Sequence, residues 1–290
     1  MKIVEVTYRY DGSDAAARPR PLDAEAARQR LDEGSRAIAT LLTGVAEGSG
    51  TAQCVITVDP RDLGITAGDQ RAPKQTPYAA VLGCSDARVP IELIFKEGPN
   101  DLFVVRVAGN GLGNEVLGSL KYAVDHLGDS LKLIVVLGHS GCGAVASAVG
   151  VFLDPKSYLG LVANHNLRSI LDRLLVVVHS AAKRMAAEFG PEVGQRRGYR
   201  DALLEAAVAL NAALAAFTIQ QQLGSMRKAG MRAAYGVYLL AERRIWAPGY
   251  GSADETGLAY PPEDALAFSA FSDAVVRSER VAALLDRAAD

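Results

Sequence analysis

Short, nearly continuous apolar runs separated by polar or glycine-rich turns make the middle of this chain its most regular region. Four such runs stand out: Tyr78–Gly83, Leu102–Ala108, Leu131–Leu137 and Ala233–Leu240. Each is rich in valine, leucine, isoleucine or alanine and of strand length, as expected for strands covered on both faces. The first three are each followed by a turn and a helical pattern, at Pro90–Lys96, Asn114–Leu127 and Gly143–Val151. Strand–turn–helix alternation predicts a parallel sheet with helices on both faces. Ligands of such sheets sit beyond the carboxyl ends of the strands.

The flanks are less regular. Residues 1–22 read as a short extended start, MKIVEVTYRY, leading to a Pro-Arg-Pro stretch at 19–21. Asp23–Leu42 reads as a helix, with Leu31, Ile38, Leu41 and Leu42 near helical spacing, and 44–53 and 59–77 read as loops. Residues 155–223 read as mostly helical, with Leu167, Ile170, Leu171, Leu174 and Leu175 on one stripe. Gln195–Arg200 is a short basic surface loop, and a helix is expected near Ser272–Ala289. The expected fold is a single α/β domain over 1–290, a mainly parallel central sheet flanked by helices. An N-terminal helical arm and loop occupy 1–74 and the chemical core 75–150. A helical segment, the last core strand and a helical C-terminal extension fill 151–290.

Composition narrows the function. Lysine plus arginine number 31 against 33 acids, a formal net charge of −2, so the global basic footprint of a nucleic-acid binder is missing. The N-terminus lacks the continuous apolar core of a signal peptide. The longest apolar region, Ala206–Ile219, is about 14 residues and is interrupted by Asn211, short of the roughly 20 a membrane span needs. No nucleic-acid or membrane partner is expected, and the cytoplasm is the expected compartment. Three cysteines, Cys54, Cys84 and Cys142, are too few and too odd in number for a disulfide framework, and read better as thiols or metal ligands.

Polar clusters close the first three predicted strands: Gly83-Cys84-Ser85-Asp86-Ala87-Arg88, Arg106-Val107-Ala108-Gly109-Asn110 and Gly138-His139-Ser140-Gly141-Cys142-Gly143. Adjacent strand ends would bring Cys84, His139 and Cys142 together as two thiolates and an imidazole. That set suits tetrahedral zinc with one position left open, and two thiolates cancel the charge of the metal. Asp86 beside Arg88 would remain ionised and could orient a water at the metal or serve as a fourth ligand. Cys54 reads as core packing, and His126, His165 and His179 lie in helical segments without partner patterns. Gly109-Asn110-Gly111-Leu112-Gly113 departs from a dinucleotide loop at Asn114, and Gly138-His139-Ser140-Gly141 departs from a nucleophile elbow at Cys142.

CSDARVP at 84–90, VVRVAGN at 104–110, LKYAVDHLG at 120–128 and GHSGCGAV at 138–145 resemble the β-class carbonic anhydrases. The likeness is dense over about 75–150 and fainter at 30–44 and 207–240. It implies one Zn²⁺ per subunit on Cys84, His139 and Cys142, with Asp86 and Arg88 as the catalytic dyad. Gln75 would hydrogen-bond substrate. Phe103 and Tyr122 would shape an apolar pocket across a subunit interface, and Ala108 and Gly143 would line it. The implied reaction is attack of zinc-bound hydroxide on CO₂ to give bicarbonate and a proton. The implied assembly is a homodimer or a dimer of dimers, which would give the N-terminal helix a partner outside its own chain. Carbonyl sulfide and carbon disulfide hydrolases resemble the same family, and a non-catalytic zinc-bearing assembly subunit is the alternative of a different class. Some members carry a second, regulatory bicarbonate site with a tryptophan where Val81 stands here; Arg106 matches another residue of that site. The 151–207 segment is longer than in compact members, and Tyr235–Trp246 lacks the family's Tyr-Asp pair.

Overall fold

The chain begins with a strand, β1 (Lys2–Tyr10), followed by the helix α1 (Ala24–Glu47) and a second strand, β2 (Gly50–Val58). β1 and β2 pair in parallel as a small sheet of their own. The structure is a computed structural model that describes residues 2–13, 19–48, 50–65, 72–161, 165–224, 230–248 and 257–286. α1 starts where the sequence predicts, because the Asp23 carboxylate accepts the Ala26 N–H at 2.8 Å and caps the first turn. It runs on to Glu47, through residues expected to form a loop.

The central sheet is built next, from β3 (Ala79–Gly83), a short helix α2 (Ile91–Ile94), β4 (Leu102–Arg106), α3 (Asn114–His126), β5 (Leu133–His139) and α4 (Gly143–Leu153). Two long helices follow, α5 (His165–Phe189) and α6 (Tyr199–Gln222), before the chain returns to the sheet as β6 (Arg232–Leu239) and β7 (Arg244–Trp246). The strand order is β4-β3-β5-β6-β7, parallel except for β7. All four predicted strands are present, with ends shifted by one or two residues.

Strand side chains alternate between the two faces. Ala80, Leu82, Ile134 and Val136 point into a large core shared with α3 to α6, whereas Ala79, Val81, Leu133 and Val135 point into a second core. Ala24, Ala27 and Leu31 of α1 close that second core together with Ile91 and Phe95. The N-terminal helix therefore packs on the sheet of its own chain, contrary to the expectation that it lacks a partner there. The physical reason is its run of small residues, which lets α1 approach the sheet closely.

Four further expectations change. The stretch expected as loop over 44–53 contains the last residues of α1 and the first four of β2, whose Cys54, Ile56 and Val58 pack with Ile38, Leu41 and Leu42 of α1. Cys54 is thus the packing residue expected. The apolar run at 206–219 belongs to the 24-residue α6, long and apolar enough to cross a membrane by length and composition, but mostly buried as the core helix of this fold. The single helix expected near Ser272–Ala289 is two, α7 (Ala265–Arg277) and α8 (Glu279–Leu285), divided at Ser278, whose hydroxyl caps α8. Leu167 of the predicted α5 stripe is exposed, while Leu171 and Leu174 are buried.

Candidate metal centre

Parallel neighbours β3, β4 and β5 end side by side, so their C-terminal turns meet. Cys84 follows β3, His139 ends β5, and Cys142 stands just before the first residue of α4. The tight turn between His139 and Cys142 is possible because Gly141 adopts a left-handed conformation, φ +64°. The two sulfurs lie 4.0 Å apart, and all three ligand atoms fall within 4.8 Å of one another. Tetrahedral zinc with thiolates at about 2.3 Å would set two sulfurs roughly 3.8 Å apart.

The imidazole is oriented for a metal. Its Nδ1 lies 3.1 Å from the Ser140 carbonyl oxygen, to which it can only donate. That leaves Nε2 as the lone-pair nitrogen, fully buried and without a hydrogen-bond partner among the described residues. The donor set and the vacant nitrogen fit Zn²⁺. The two sulfurs lie within hydrogen-bond reach of each other: the contact with Cys142 holds the Cys84 thiol well below its ordinary value, helped by backbone N–H groups. The same contact, together with burial, pushes Cys142 up.

Asp86 borders this group, its Oδ2 lying 3.8 Å from His139 Nε2. Arg88 grips it as a fork, Nε to Oδ1 at 3.0 Å and Nη2 to Oδ2 at 2.8 Å, and the Arg88 backbone N–H adds a bond to Oδ1 at 2.9 Å. These bonds hold the carboxyl far below the usual carboxylate range. Ser140 is occupied otherwise: its Oγ accepts the Leu240 N–H at 3.0 Å, tying the turn to the end of β6.

Two residues hold the centre that the sequence did not single out for this role. Arg106 reaches across from β4 to the carbonyl oxygens of Cys84 (3.0 Å) and Asp86 (2.6 Å), clamping the loop between them. Asn211, an amide set among the alanines and leucines in the middle of α6, donates to the Gly109 carbonyl oxygen at 2.9 Å, and Gly109 N–H points to Cys84 Sγ at 3.3 Å. A single polar residue interrupting such a run was the available signal. Gly109 itself has φ +64°, and a Cβ there would press on Ala144 and Leu174 at 3.2 Å.

The remaining predicted residues divide into two groups. Ala108, half-buried, opens the turn after β4, and Gly143 begins α4, so both lie beside the ligand loops. Gln75, Phe103 and Tyr122 do not join them. Gln75 precedes β3 while Cys84 follows it, with a five-residue strand, roughly 16 Å, between. Phe103 pairs with Ala80 near the start of β4. Tyr122, on α3, is half-exposed and stacks on His126 at 4.6 Å. His126 and Gln75 border one open cleft of about 370 Å³ with Arg20, Lys74 and Lys132. Of the histidines set aside, His126 and His179 stand apart from the ligand group; the side chain of His165 lies outside the described residues.

Two sulfurs, an unpartnered imidazole nitrogen and an ion-paired carboxylate meet at adjoining strand ends of a parallel α/β sheet, where the sulfurs and the nitrogen could hold one metal ion. The carbonic anhydrase family profile matches residues 79–229, just over half of the chain. The chain belongs to the β-class carbonic anhydrase family. It is 42% identical to carbonic anhydrase 2 of Mycobacterium tuberculosis over 118 residues, 41% of this chain and 50% of that protein. It is 46% identical to the carbonic anhydrase of Mycolicibacterium smegmatis over 100 residues, 34% of this chain and 45% of that protein. Among solved structures, the Coccomyxa β-carbonic anhydrase in complex with acetazolamide aligns at 24% identity with a TM-score of 0.49, covering 71% of this chain and 82% of that one. The chain spans about half the length of the curated relatives it matches.

Proposed function

We propose that the protein interconverts CO₂ and bicarbonate, releasing a proton in the hydration direction, at one zinc ion held by Cys84, His139 and Cys142. The observation that carries this reading is the buried, unpartnered His139 Nε2 set against two free sulfurs 4.0 Å apart. Zinc in such a site is a Lewis acid that makes water a competent nucleophile near neutral pH. Asp86, ionised and immobilised by Arg88, accepts a hydrogen of the attacking water and aims its lone pair at the carbon of CO₂. Arg106 keeps the Cys84–Asp86 loop from drifting. Ala108 and Gly143, small residues beside the ligands, leave room for a small apolar substrate.

Gln75, Phe103 and Tyr122 serve a second copy of the chain in this proposal, completing the partner's pocket in a homodimer or a dimer of dimers. The position of Gln75 and Phe103 toward the opposite end of the strands from this chain's own ligands supports that arrangement. The free thiols favour a reducing compartment, and we place the reaction in the cytoplasm. Stopped-flow CO₂ hydration on stoichiometrically zinc-loaded protein tests the reading: turnover is expected, and is lost in His139→Ala together with the metal. Fully loaded protein that hydrates CO₂ no faster than buffer overturns it.

A further inference from the structure

The small β1–β2 sheet carries none of the proposed site residues, yet its outer strand is built like an interface. β1 spans nine residues, every one of them exposed, including Ile3, Val4, Val6, Tyr8 and Tyr10. Among the described residues β2 is its only strand neighbour. A long apolar edge strand presents unpaired N–H and C=O groups that invite another strand. Asp11 N–H donates to Val58 O at 3.1 Å, continuing the parallel ladder. Because a parallel ladder uses alternate residues, odd-numbered residues of β1 bond to β2, and Val4, Val6, Tyr8 and Tyr10 turn their backbone groups to the open edge.

The geometry points to an antiparallel β1–β1 pairing between two copies of this chain, centred on Thr7. In that register Thr7 faces Thr7, Glu5 faces Arg9, Val6 faces Tyr8 and Val4 faces Tyr10, each taken twice by the two-fold symmetry. Hydroxyl, opposite-charge and aromatic–β-branched pairs are the cross-strand combinations that stabilise a sheet. Sliding the register two residues one way sets Ile3 against Arg9 and Glu5 against Thr7, and sliding it the other sets Glu5 against Asp11, so either slide breaks the Glu5–Arg9 pair. The four open-edge residues form the hydrogen-bonded pairs, so every edge group between Val4 and Tyr10 finds a partner. Their side chains continue the face of Cys54, Ile56 and Val58, their register neighbours under α1. Glu5 already accepts a bond from Gln53 at 2.8 Å and keeps a second oxygen for Arg9 of the second copy.

The zinc-loaded full chain tests this directly. Thr7 would face its own copy in a non-hydrogen-bonded pair, Cα atoms about 4.5 Å apart, within disulfide reach. Thr7→Cys is expected to form a covalent dimer under diamide, whereas Glu5→Cys, facing Arg9, and the parent chain are not. Arg9→Glu is expected to weaken self-association about tenfold in sedimentation, and Glu5→Arg added to it to restore association. Thr7→Cys cross-linking no better than Glu5→Cys, or association indifferent to Arg9→Glu, overturns the pairing.

Discussion

Asn211 holds the carbonyl oxygen of Gly109, 102 residues before it, at 2.9 Å, and the N–H of that same glycine faces the sulfur of Cys84 at 3.3 Å. A core helix thus positions a proposed metal ligand through one peptide unit. Asn211→Leu fills the same space but leaves the buried Gly109 carbonyl unpaired. The expected cost is about 1–3 kcal/mol in denaturant unfolding. Outer-shell losses of this kind weaken metal binding by about 10–100-fold, which chelator competition would read. Unchanged zinc affinity would show that the Gly109 turn holds its place without α6.

The Asp86–Arg88 fork makes a separate prediction. Asp86→Asn should bind zinc stoichiometrically while losing most of the hydration rate, about 10²-fold or more. Arg88→Ala is subtler. Removing the guanidinium lets the Asp86 carboxyl rise toward an ordinary value near 4, still ionised at pH 7. The rate should therefore fall through lost orientation, with the pH–rate profile keeping its shape above about pH 6. A new acidic limb appearing near neutrality would mean that Arg88 acts mainly by keeping Asp86 charged.

How far the chemistry was legible in the sequence follows from these same residues. Cys84, Asp86, Arg88, His139 and Cys142 lie within six residues of a strand end, and neighbouring parallel strands bring their ends together, so local motifs suffice. β2 was missed because Gly50, Thr51 and Thr57 dilute its alternation, although Cys54, Ile56 and Val58 keep it. The partner of α1 could not be read either: Ala24, Ala27 and Leu31 announce a face to bury, and only the fold shows that Ile91 and Phe95 receive it. Asn211 and Arg106 act through backbone carbonyls, which carry no residue signature.

Asp32 of α1 predicts a pH effect. Its carboxylate is almost fully buried, accepting the Leu258 N–H at 2.8 Å and Arg28 Nη1 at 2.9 Å. Burial outweighs both partners and pushes its pKa up from 3.8 to about 6. The folded chain therefore retains a proton that the unfolded chain releases, and stability falls as pH rises from about 4 to about 6, then levels. Asp32→Asn keeps an acceptor for Leu258 and does not titrate. Relative to this variant, the parent should lose about 3 kcal/mol across that window; the lost Arg28 pair adds a constant offset, and zinc-linked effects common to both cancel. A difference that is flat from pH 4 to 7 in urea titrations would contradict the burial of the charge.

Gln75 and Cys84 on opposite ends of β3 make the proposed division of labour between copies testable by mixing. A Cys84→Ser chain has no working metal site but carries an intact Gln75; a Gln75→Ala chain is the reverse. If Gln75 acts on the partner's substrate, a mixed dimer contains one site with every residue present. Random pairing of equal amounts puts half of the dimers in the mixed state, each with one competent site of two, so activity should recover to about a quarter of the parent. Subunits must be exchanged by mild denaturation and refolding with zinc, and each parent variant treated alone supplies its own baseline. Recovery no greater than the sum of those baselines would place Gln75 in the service of its own chain, requiring the 72–78 segment to fold back toward Cys84 from the position it holds here.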